Sequence, residues 1–161
     1  MASTVTAQNL EVSITESITL AGTNYNQTKS LVIPSIKEVY KRVVRCIDDT
    51  DCTIATFRTA TNTADNALDL ENVKYIRVTN LDDTNPMNLS LQITAAEDGV
   101  ADMSVTHLVG AAQSVILYTV HDGLAVSDAN ATIVTALNDL ESILVDPLSE
   151  NIDVEIFVAS I

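Results

Sequence analysis

Apolar and polar residues alternate through the final segment of the chain, residues 151–161. Apolar side chains occupy every second position from Ile152 to Val158, and Asp153 and Glu155 lie between them. Side chains of a β-strand point to opposite faces at successive residues, so this pattern puts the apolar residues on one face and the acids on the other. The segment is therefore predicted to be a half-buried β-strand.

The same two-residue pattern recurs in short segments along most of the chain. Residues 73–81 are rich in β-branched and aromatic residues, which favour strands. Polar stretches rich in Asn, Asp and Thr separate the segments and predict turns, and residues 59–70 are predicted to form a polar loop. Pro34 is expected to end one strand, and Asp146-Pro147 to end another. Besides 73–81 and 151–161, the predicted strands are 10–15, 17–20, 30–33, 52–58, 89–93, 103–109, 114–120 and 142–145.

Residues 35–47 carry two competing patterns. Their apolar residues recur at helical spacing, and Ser35 with Glu38 matches a helix capping box. The segment is also rich in β-branched residues and runs through an acidic turn into the strand predicted at 52–58. We therefore predict a strand over 39–47 that forms a hairpin with 52–58, and the helix remains the alternative.

One further segment, residues 128–140, has helical spacing behind Asp128, which suits a helix N-cap. We predict one short helix there, near 130–140, among many short strands separated by polar turns. This arrangement is typical of an all-β, single-domain antiparallel β-sandwich or jelly roll that spans residues 1–161. Residues 1–8 are a candidate flexible arm.

Composition supports a folded core and restricts the partners. The chain has 161 residues, 47% of them hydrophobic, which fits one domain with a real core. Its net charge is −14. All eight Lys and Arg residues lie within residues 29–77, whereas residues 78–161 hold thirteen acids and no Lys or Arg. Nucleic acids and anionic membranes attract basic surfaces, so we expect neither as a partner.

The N-terminus lacks the basic and apolar regions of a signal peptide. No apolar run reaches the roughly 20 residues of a membrane span. We therefore expect synthesis in a cytoplasm.

Candidate catalytic and metal-ligating residues are few. His107 lies inside a predicted strand and His121 opens a turn, and the sequence has no third histidine to complete a zinc site with them. There is no G-x-S-x-G motif. The acidic runs at 48–51 and 82–83 lack the spacing of a calcium loop and suit turns. We predict no catalytic residue, no metal site and no cofactor.

Two cysteines, Cys46 and Cys52, flank the first acidic run. If they face each other across the base of the predicted hairpin, a disulfide would close a small loop and contribute roughly 2 kcal/mol. A cytoplasmic origin favours free thiols. Both states remain open from the sequence.

Four segments together resemble small virion structural proteins of tailed bacteriophages, especially those that infect cyanobacteria. The segments are VSITESITL (12–20), IKEVYKRVV (36–44), VKYIRVTNLDDTN (73–85) and DVEIFVAS (153–160). The resemblance covers most of the chain and rests on strand and turn patterns. It implies a β-rich particle component, supports a strand rather than a helix in 36–47, and offers no catalytic residues.

The function implied is that of a non-enzymatic virion protein, a capsid decoration or cement protein on the exterior of the head. It would be assembled in the bacterial cytoplasm and then located in the virion. Its partners would be the major capsid protein or other virion proteins, and it would form a homo-oligomer such as a trimer. A neck, tail-fibre or baseplate adaptor is the alternative within the virion. A carbohydrate- or ion-binding β-sandwich module is the alternative of another class.

The mildly basic middle of the chain is the candidate interaction surface, because only there is attraction to acidic partners available. An ordinary solvated strand face is the alternative explanation for the same residues. The candidate residues are Lys37, Lys41, Arg42, Arg45, Lys74 and Arg77.

Overall fold

Strands make up most of the structure. The computed structural model describes residues 4–59, 66–93, 103–118, 124 and 137–161. Within these residues it contains thirteen β-strands and one 3-10 helical turn, Leu70–Asn72. In chain order the strands are β1 (Gln8–Glu16), β2 (Thr19–Leu20), β3 (Thr23–Asn24), β4 (Gln27–Ile36), β5 (Glu38–Cys46), β6 (Cys52–Arg58), β7 (Leu68–Asp69), β8 (Val73–Asn80), β9 (Met87–Ile93), β10 (Met103–Val109), β11 (Ser114–Tyr118), β12 (Leu140–Pro147) and β13 (Ile152–Ser160).

Two sheets form the body of the protein. The four-stranded sheet has the order β11-β8-β13-β5, and the five-stranded sheet has the order β10-β9-β12-β6-β7. All pairings are antiparallel except the short contact between β6 and β7. The links from β5 to β6, β8 to β9, β10 to β11 and β12 to β13 each cross from one sheet to the other. This wrapped strand order is that of an eight-stranded jelly roll, and it confirms the predicted all-β sandwich.

β13 is one of the two inner strands of the four-stranded sheet and lies between β5 and β8. Its alternate residues from Ile152 to Val158 are fully buried. They pack against the facing side of the five-stranded sheet and share one hydrophobic cluster with it. The predicted half-buried strand at the end of the chain is therefore confirmed. The largest fully buried side chains of this main core are Phe57, Ile76, Met87, Leu89, Ile93, Leu140, Ile143, Ile152, Ile156, Val73, Val78 and Val109.

The four links between the sheets meet at one end of the sandwich. The backbone N–H of Asp48 donates to Asn151 Oδ1 (2.9 Å), and Ser149 Oγ lies 3.3 Å from Asn85 Oδ1. Asn80 is the polar residue that ties this end together. Fully buried, it donates from Nδ2 to the carbonyl oxygens of Asn85 (2.8 Å) and Gly110 (3.2 Å).

A long hairpin precedes the jelly roll. From here on, "the arm" means this hairpin, residues 8–36, and not the flexible arm expected at residues 1–8. β1 and β4 pair over most of its length, and β2 and β3 pair at its tip. The backbone at Ala21 and Gly22 has φ values of 50° and 81°, which suits the tight turn of a two-residue hairpin. Pairing keeps one register from Leu10–Ile33 through Thr19–Asn24. The arm is therefore one continuous hairpin.

Pro34 was expected to end a strand, and this expectation is wrong. β4 continues through Pro34 to Ile36. The register between β1 and β4 shifts at this point, and Ser35 has a φ of 66°. A bulge leaves a backbone position out of the ladder, so a proline without an N–H is accommodated there. The strand predicted at 142–145 extends to Pro147, which is the last residue of β12 and lies opposite Met87. A proline is tolerated at a strand end because no further ladder bond is needed there.

The strand predicted at 39–47 is confirmed as β5, and the helical alternative is wrong. The predicted hairpin with 52–58 is also wrong. β5 pairs with β13, whereas β6 pairs with β12 in the other sheet. The five residues between them cross from sheet to sheet, because each strand finds its partner in the C-terminal pair of strands rather than in its sequence neighbour.

Two predictions concern the less regular parts of the chain. The polar loop predicted at 59–70 contains β7 and the start of the 3-10 turn, and Leu68 and Leu70 are buried. The helix predicted at 128–140 lies outside the described residues up to 136. Its described end is not helical, because Asn138 forms a β-bridge with Leu124 and Leu140 begins β12. No helix among the described residues has the length and apolarity to cross a membrane.

Candidate interaction surface

The structure distributes the six candidate cations over several positions. Lys41 and Arg77 both lie opposite Phe157, and Arg45 lies opposite Asp153. These three side chains therefore share the outer face of the four-stranded sheet. Arg42 lies opposite the fully buried Ile156 and so occupies the other face of β5.

The remaining two cations lie at strand beginnings. Lys37 immediately precedes β5, where its backbone N–H donates to the carbonyl of Ser160 (2.9 Å). Lys74 lies in β8 and donates from Nζ to the carbonyl of Glu71 (3.4 Å). Lys74 lines a separate hollow beside Ile33 and Tyr118. Five of the six residues thus gather around β5 and β13, and Lys74 does not join them.

Glu155 neutralises part of this surface. Its Oε2 lies 3.0 Å from Lys41 Nζ, and its Oε1 accepts a short hydrogen bond from Arg77. The Glu155 side chain is only 15% exposed, so water screens these pairs less than pairs on an open surface. Arg77 also stacks 5.9 Å from the ring centre of Phe157. The outer face of β13 is therefore held by a compact ionic and aromatic group.

Three cations are left without such compensation. Among the described residues, Lys37, Arg42 and Arg45 form no ion pair. All three lie on or beside β5, whose second edge pairs with no strand of the described part of the chain. An open strand edge presents unpaired N–H and C=O groups to solvent. The edge of β5 therefore combines free backbone groups with cations that form no ion pair among the described residues.

The inner half of the arm covers the middle of the same sheet. Leu10, Val12, Leu31 and Ile33 pack with Tyr75, Ala159 and Phe157 in a second hydrophobic cluster that also includes Ile36. The rings of Tyr75 and Phe157 meet edge to face at 6.0 Å. This packing fixes the arm to the body through its apolar face.

The outer half of the arm continues this apolar face without support from the body. Ile18 (54% exposed), Leu20 (63%) and Tyr25 (59%) lie in solvent. Polar bonds nonetheless hold the tip in place, since the backbone N–H groups of Ile18 and Asn26 donate to asparagine side chains. Sequence reasoning predicted the strands of the arm but not its exposure, because alternation does not indicate what covers the apolar face.

Negative charge collects at the end of the sandwich where the four inter-sheet links meet. These links are residues 47–51, 81–86, 110–113 and 148–151, and they hold six acids and no Lys or Arg. Asp82 Oδ1 accepts the backbone N–H groups of Thr84 (2.8 Å) and Asn85 (2.6 Å). These bonds hold the pKa of Asp82 below its usual value and give this carboxylate the turn role that the sequence predicted.

The outer face of the five-stranded sheet carries a polar groove of roughly 220 Å³. Asn88 Nδ2 lies 3.4 Å from Asp146 Oδ2 in this groove, and Gln92 Nε2 donates to Ser90 Oγ (2.8 Å). Its lining has acids, amides and hydroxyls and no cation, so it suits a neutral polar ligand better than an anion. The groove residues are Asp51, Asn88, Ser90, Gln92, Thr106, Leu144 and Asp146.

Metal-type ligands do not converge in the described part of the chain. No group of three or more His, Cys, Asp or Glu side chains that could hold a metal ion occurs there. His107 is exposed on β10, and His121 lies outside the described residues. No family model, curated protein or solved structure matches the chain.

Cys46 and Cys52 are free thiols in the structure. Cys46 ends β5 and is fully buried, whereas Cys52 begins β6 and is half-buried. Burial first, and then the neighbouring Cys52 thiol, raise the pKa of Cys46 to about 12. The reactive form of cysteine is the thiolate, so Cys46 stays protonated and inert at neutral pH.

Alkylation of the native protein by iodoacetamide at about pH 8 is therefore expected to modify Cys52 and to spare Cys46. Peptide mapping by mass spectrometry after the reaction is quenched would measure this difference. The same reaction in denaturant is the control, and both cysteines should then be modified. Equal modification of the two residues in the native protein would contradict the burial of Cys46.

Proposed function

We propose that this chain is a non-enzymatic structural protein of a tailed-phage virion, a capsid decoration or cement protein on the exterior of the head. Its partner would be the major capsid protein or another virion protein. It would act as an oligomer and reside in the virion after assembly in the bacterial cytoplasm. The four segments that carry the resemblance to phage virion proteins support this proposal, because they lie in the arm, in β5, in β8 and its following turn, and in β13.

The observation that carries the proposal is the cationic open edge of β5 in an otherwise acidic protein. Lys37, Arg42 and Arg45 lack ion pairs among the described residues, although the chain has a net charge of −14. Two such edges would repel each other, so the charges disfavour pairing of one β5 with another. An acidic partner surface would instead be attracted.

The exposed outer half of the arm gives this surface a hydrophobic component. Apolar groups such as Leu20 lose contact with water on docking and favour association in proportion to the area buried. A phage shell repeats one surface many times, so modest contacts of each copy add up when copies are linked. A jelly-roll body with an adhesive edge and arm is suited to this kind of attachment rather than to a function of one isolated copy.

Binding to purified shells that lack the protein tests the proposal. The intact protein is expected to co-sediment with the shells, and Arg42→Glu is expected to bind at least roughly tenfold more weakly, because the reversed charge repels an acidic partner. Arg58→Glu is the matched control. Arg58 lies on β6 in the other sheet, where it pairs with Glu141, and its loss should leave shell binding nearly unchanged.

The copy number distinguishes decoration from the alternative sites on a virion. Binding of many copies over the whole shell is expected, whereas a handful at one vertex would instead favour a neck or tail adaptor. Equal binding by the Arg42→Glu and Arg58→Glu proteins would show that the cationic edge of β5 does not contribute to shell binding. The polar groove on the five-stranded sheet favours a second candidate function, carbohydrate binding. Failure to bind shells together with binding of a soluble glycan would replace the first proposal with the second.

A further inference from the structure

The open edge of β5 has an alternating outer face. Val39 and Val43 are 54% and 52% exposed there, and Lys41 lies between them. Apolar, cationic and apolar side chains thus follow each other at two-residue spacing along an edge whose backbone is unpaired in the described part of the chain. Such an edge can accept an additional strand, with specificity provided by alternate side chains.

The arm offers a segment with the complementary pattern. Ile14, Glu16 and Ile18 share one face of the hairpin, since the register places them opposite Lys29, Gln27 and the strand region around Tyr25. Both isoleucines are more than half exposed. The sequence of this face is therefore apolar, acidic and apolar at the same two-residue spacing as on β5. β1 pairs only with β4 among the described strands, so its other edge is also open.

We propose that the outer arm of one copy pairs with the β5 edge of a second copy. An antiparallel alignment places Ile14 opposite Val43, Glu16 opposite Lys41 and Ile18 opposite Val39. All three cross-strand pairs are then favourable, two by apolar contact and one by opposite charge. The backbone groups that are open on both strands gain hydrogen bonds at the same time.

Charge complementarity identifies the second copy as the occupant. The aligned segment 14–18 of the arm contains Glu16 and no Lys or Arg, whereas the aligned segment 39–43 of β5 contains Lys41 and Arg42. Within one copy the inner half of the arm is already packed over the middle of the sheet, so its outer half extends away from that contact. Each copy carries one arm and one open β5 edge. A contact between copies therefore covers the outer arm of one copy and the β5 edge of the other.

This inference rests on the proposed function. It assigns the backbone edge and the outer face of β5 to a second copy, whereas Arg42, on the other face of β5, stays available to the shell. Its test uses the isolated protein. Sedimentation velocity over a range of concentrations is expected to show self-association of the intact chain. Glu16→Lys alone and Lys41→Glu alone are each expected to weaken it roughly tenfold, because each places like charges opposite each other. An equimolar mixture of the two variants is expected to regain association, since Lys at position 16 then faces Glu at position 41.

Restoration in the mixture is the decisive result, because damage to either fold could not be repaired by mixing. Glu11→Lys is the matched control with the same charge change at a position outside the aligned segment, and it should associate like the intact protein. Lys41 also pairs with Glu155, so Lys41→Glu could impair folding. A second pair of variants at two exposed positions, Ile18→Glu and Val39→Lys, then replaces the first pair. Each variant alone should associate more weakly, and the mixture should regain association.

A strictly monomeric intact protein, or mixtures that associate no better than the separate variants, would overturn the inference. Its failure can be told apart from failure of the proposed function. A protein that self-associates as described but does not bind shells retains the inference and loses the proposed role. A protein that binds shells as a monomer loses the inference and the oligomeric state, and it retains the proposed role on the shell.

Discussion

Replacing Ile156 by alanine is expected to lower the free energy of unfolding by about 2–5 kcal/mol, the range for removing a large aliphatic side chain from a packed core. Ile156 lies in the middle of β13, opposite Arg42 on one side and Val78 on the other, and is fully buried. Its loss leaves a cavity that both sheets line, because β13 packs across the sandwich onto the five-stranded sheet. Equilibrium unfolding in urea, followed by circular dichroism, measures the change.

Ile116→Ala is the matched control for this prediction. It makes the same change in the same sheet, on β11, where the side chain is exposed. We expect a cost within about 1 kcal/mol at that position, since exposed substitutions away from special features have small effects. Both variants should be measured at a low, equal protein concentration, because self-association would add to the apparent stability. Similar costs at the two positions would mean that β13 is not the centre of the core.

The strands were predictable where one face of a segment is buried along its whole length. In β13 every second residue from Ile152 to Val158 is apolar, and the structure buries all four of these side chains. In β5 the β-branched residues outweighed a helical spacing and a capping box. That segment pairs with β13 along its full length, so the extended form gains a ladder that a helix would lose. Local propensity and tertiary pairing agree there.

Strand partners were less predictable than strands. The short link between β5 and β6 suggested a hairpin, yet the two strands lie in different sheets. A link of a few residues can join neighbours within a sheet or cross between sheets, and its sequence does not distinguish these cases. The prediction that Pro34 ends a strand was wrong for a related reason. The bulge that removes one position from the ladder depends on the register of both strands, which the sequence of one strand does not show.

The positive charge of the candidate surface could be predicted from the sequence, but the arrangement of its side chains and their partners could not. The concentration of Lys and Arg in residues 29–77 is visible in the sequence, and most of the cations do gather around β5. Their partners are not visible, because Glu155 reaches both Lys41 and Arg77 only once β13 lies between β5 and β8. The exposure of the outer half of the arm could not be predicted from the sequence either. The alternation from Leu10 to Leu20 is the same where the arm packs on the body and where it extends past it.

A buried polar residue carries the second large effect. Asn80 ends β8 and accepts the backbone N–H of Asp82 at Oδ1 (3.0 Å), in addition to its two donor bonds to the carbonyls of Asn85 and Gly110. Asn80→Ala removes three hydrogen bonds at once and leaves their backbone partners without them. Buried polar groups that lose their partners cost about 1–3 kcal/mol each. Since solvent can reach part of this end of the sandwich, we expect a total loss of roughly 3 kcal/mol.

Urea unfolding of Asn80→Ala beside Asn88→Ala measures this cost against a matched change. Asn88 is half-buried and, among the residues that the structure describes, its side chain makes one long hydrogen bond, to Asp146. Its replacement should therefore cost less than about 1 kcal/mol. Amide hydrogen exchange should in addition show faster exchange at Asp82 in Asn80→Ala, since that N–H loses its acceptor. Asn80→Asp should destabilise at least as much as Asn80→Ala, because a carboxylate oxygen would then face the two carbonyl oxygens that now accept from Nδ2. A stable Asn80→Asp protein would show that the two hydrogen bonds donated by Nδ2 do not hold this end of the sandwich together.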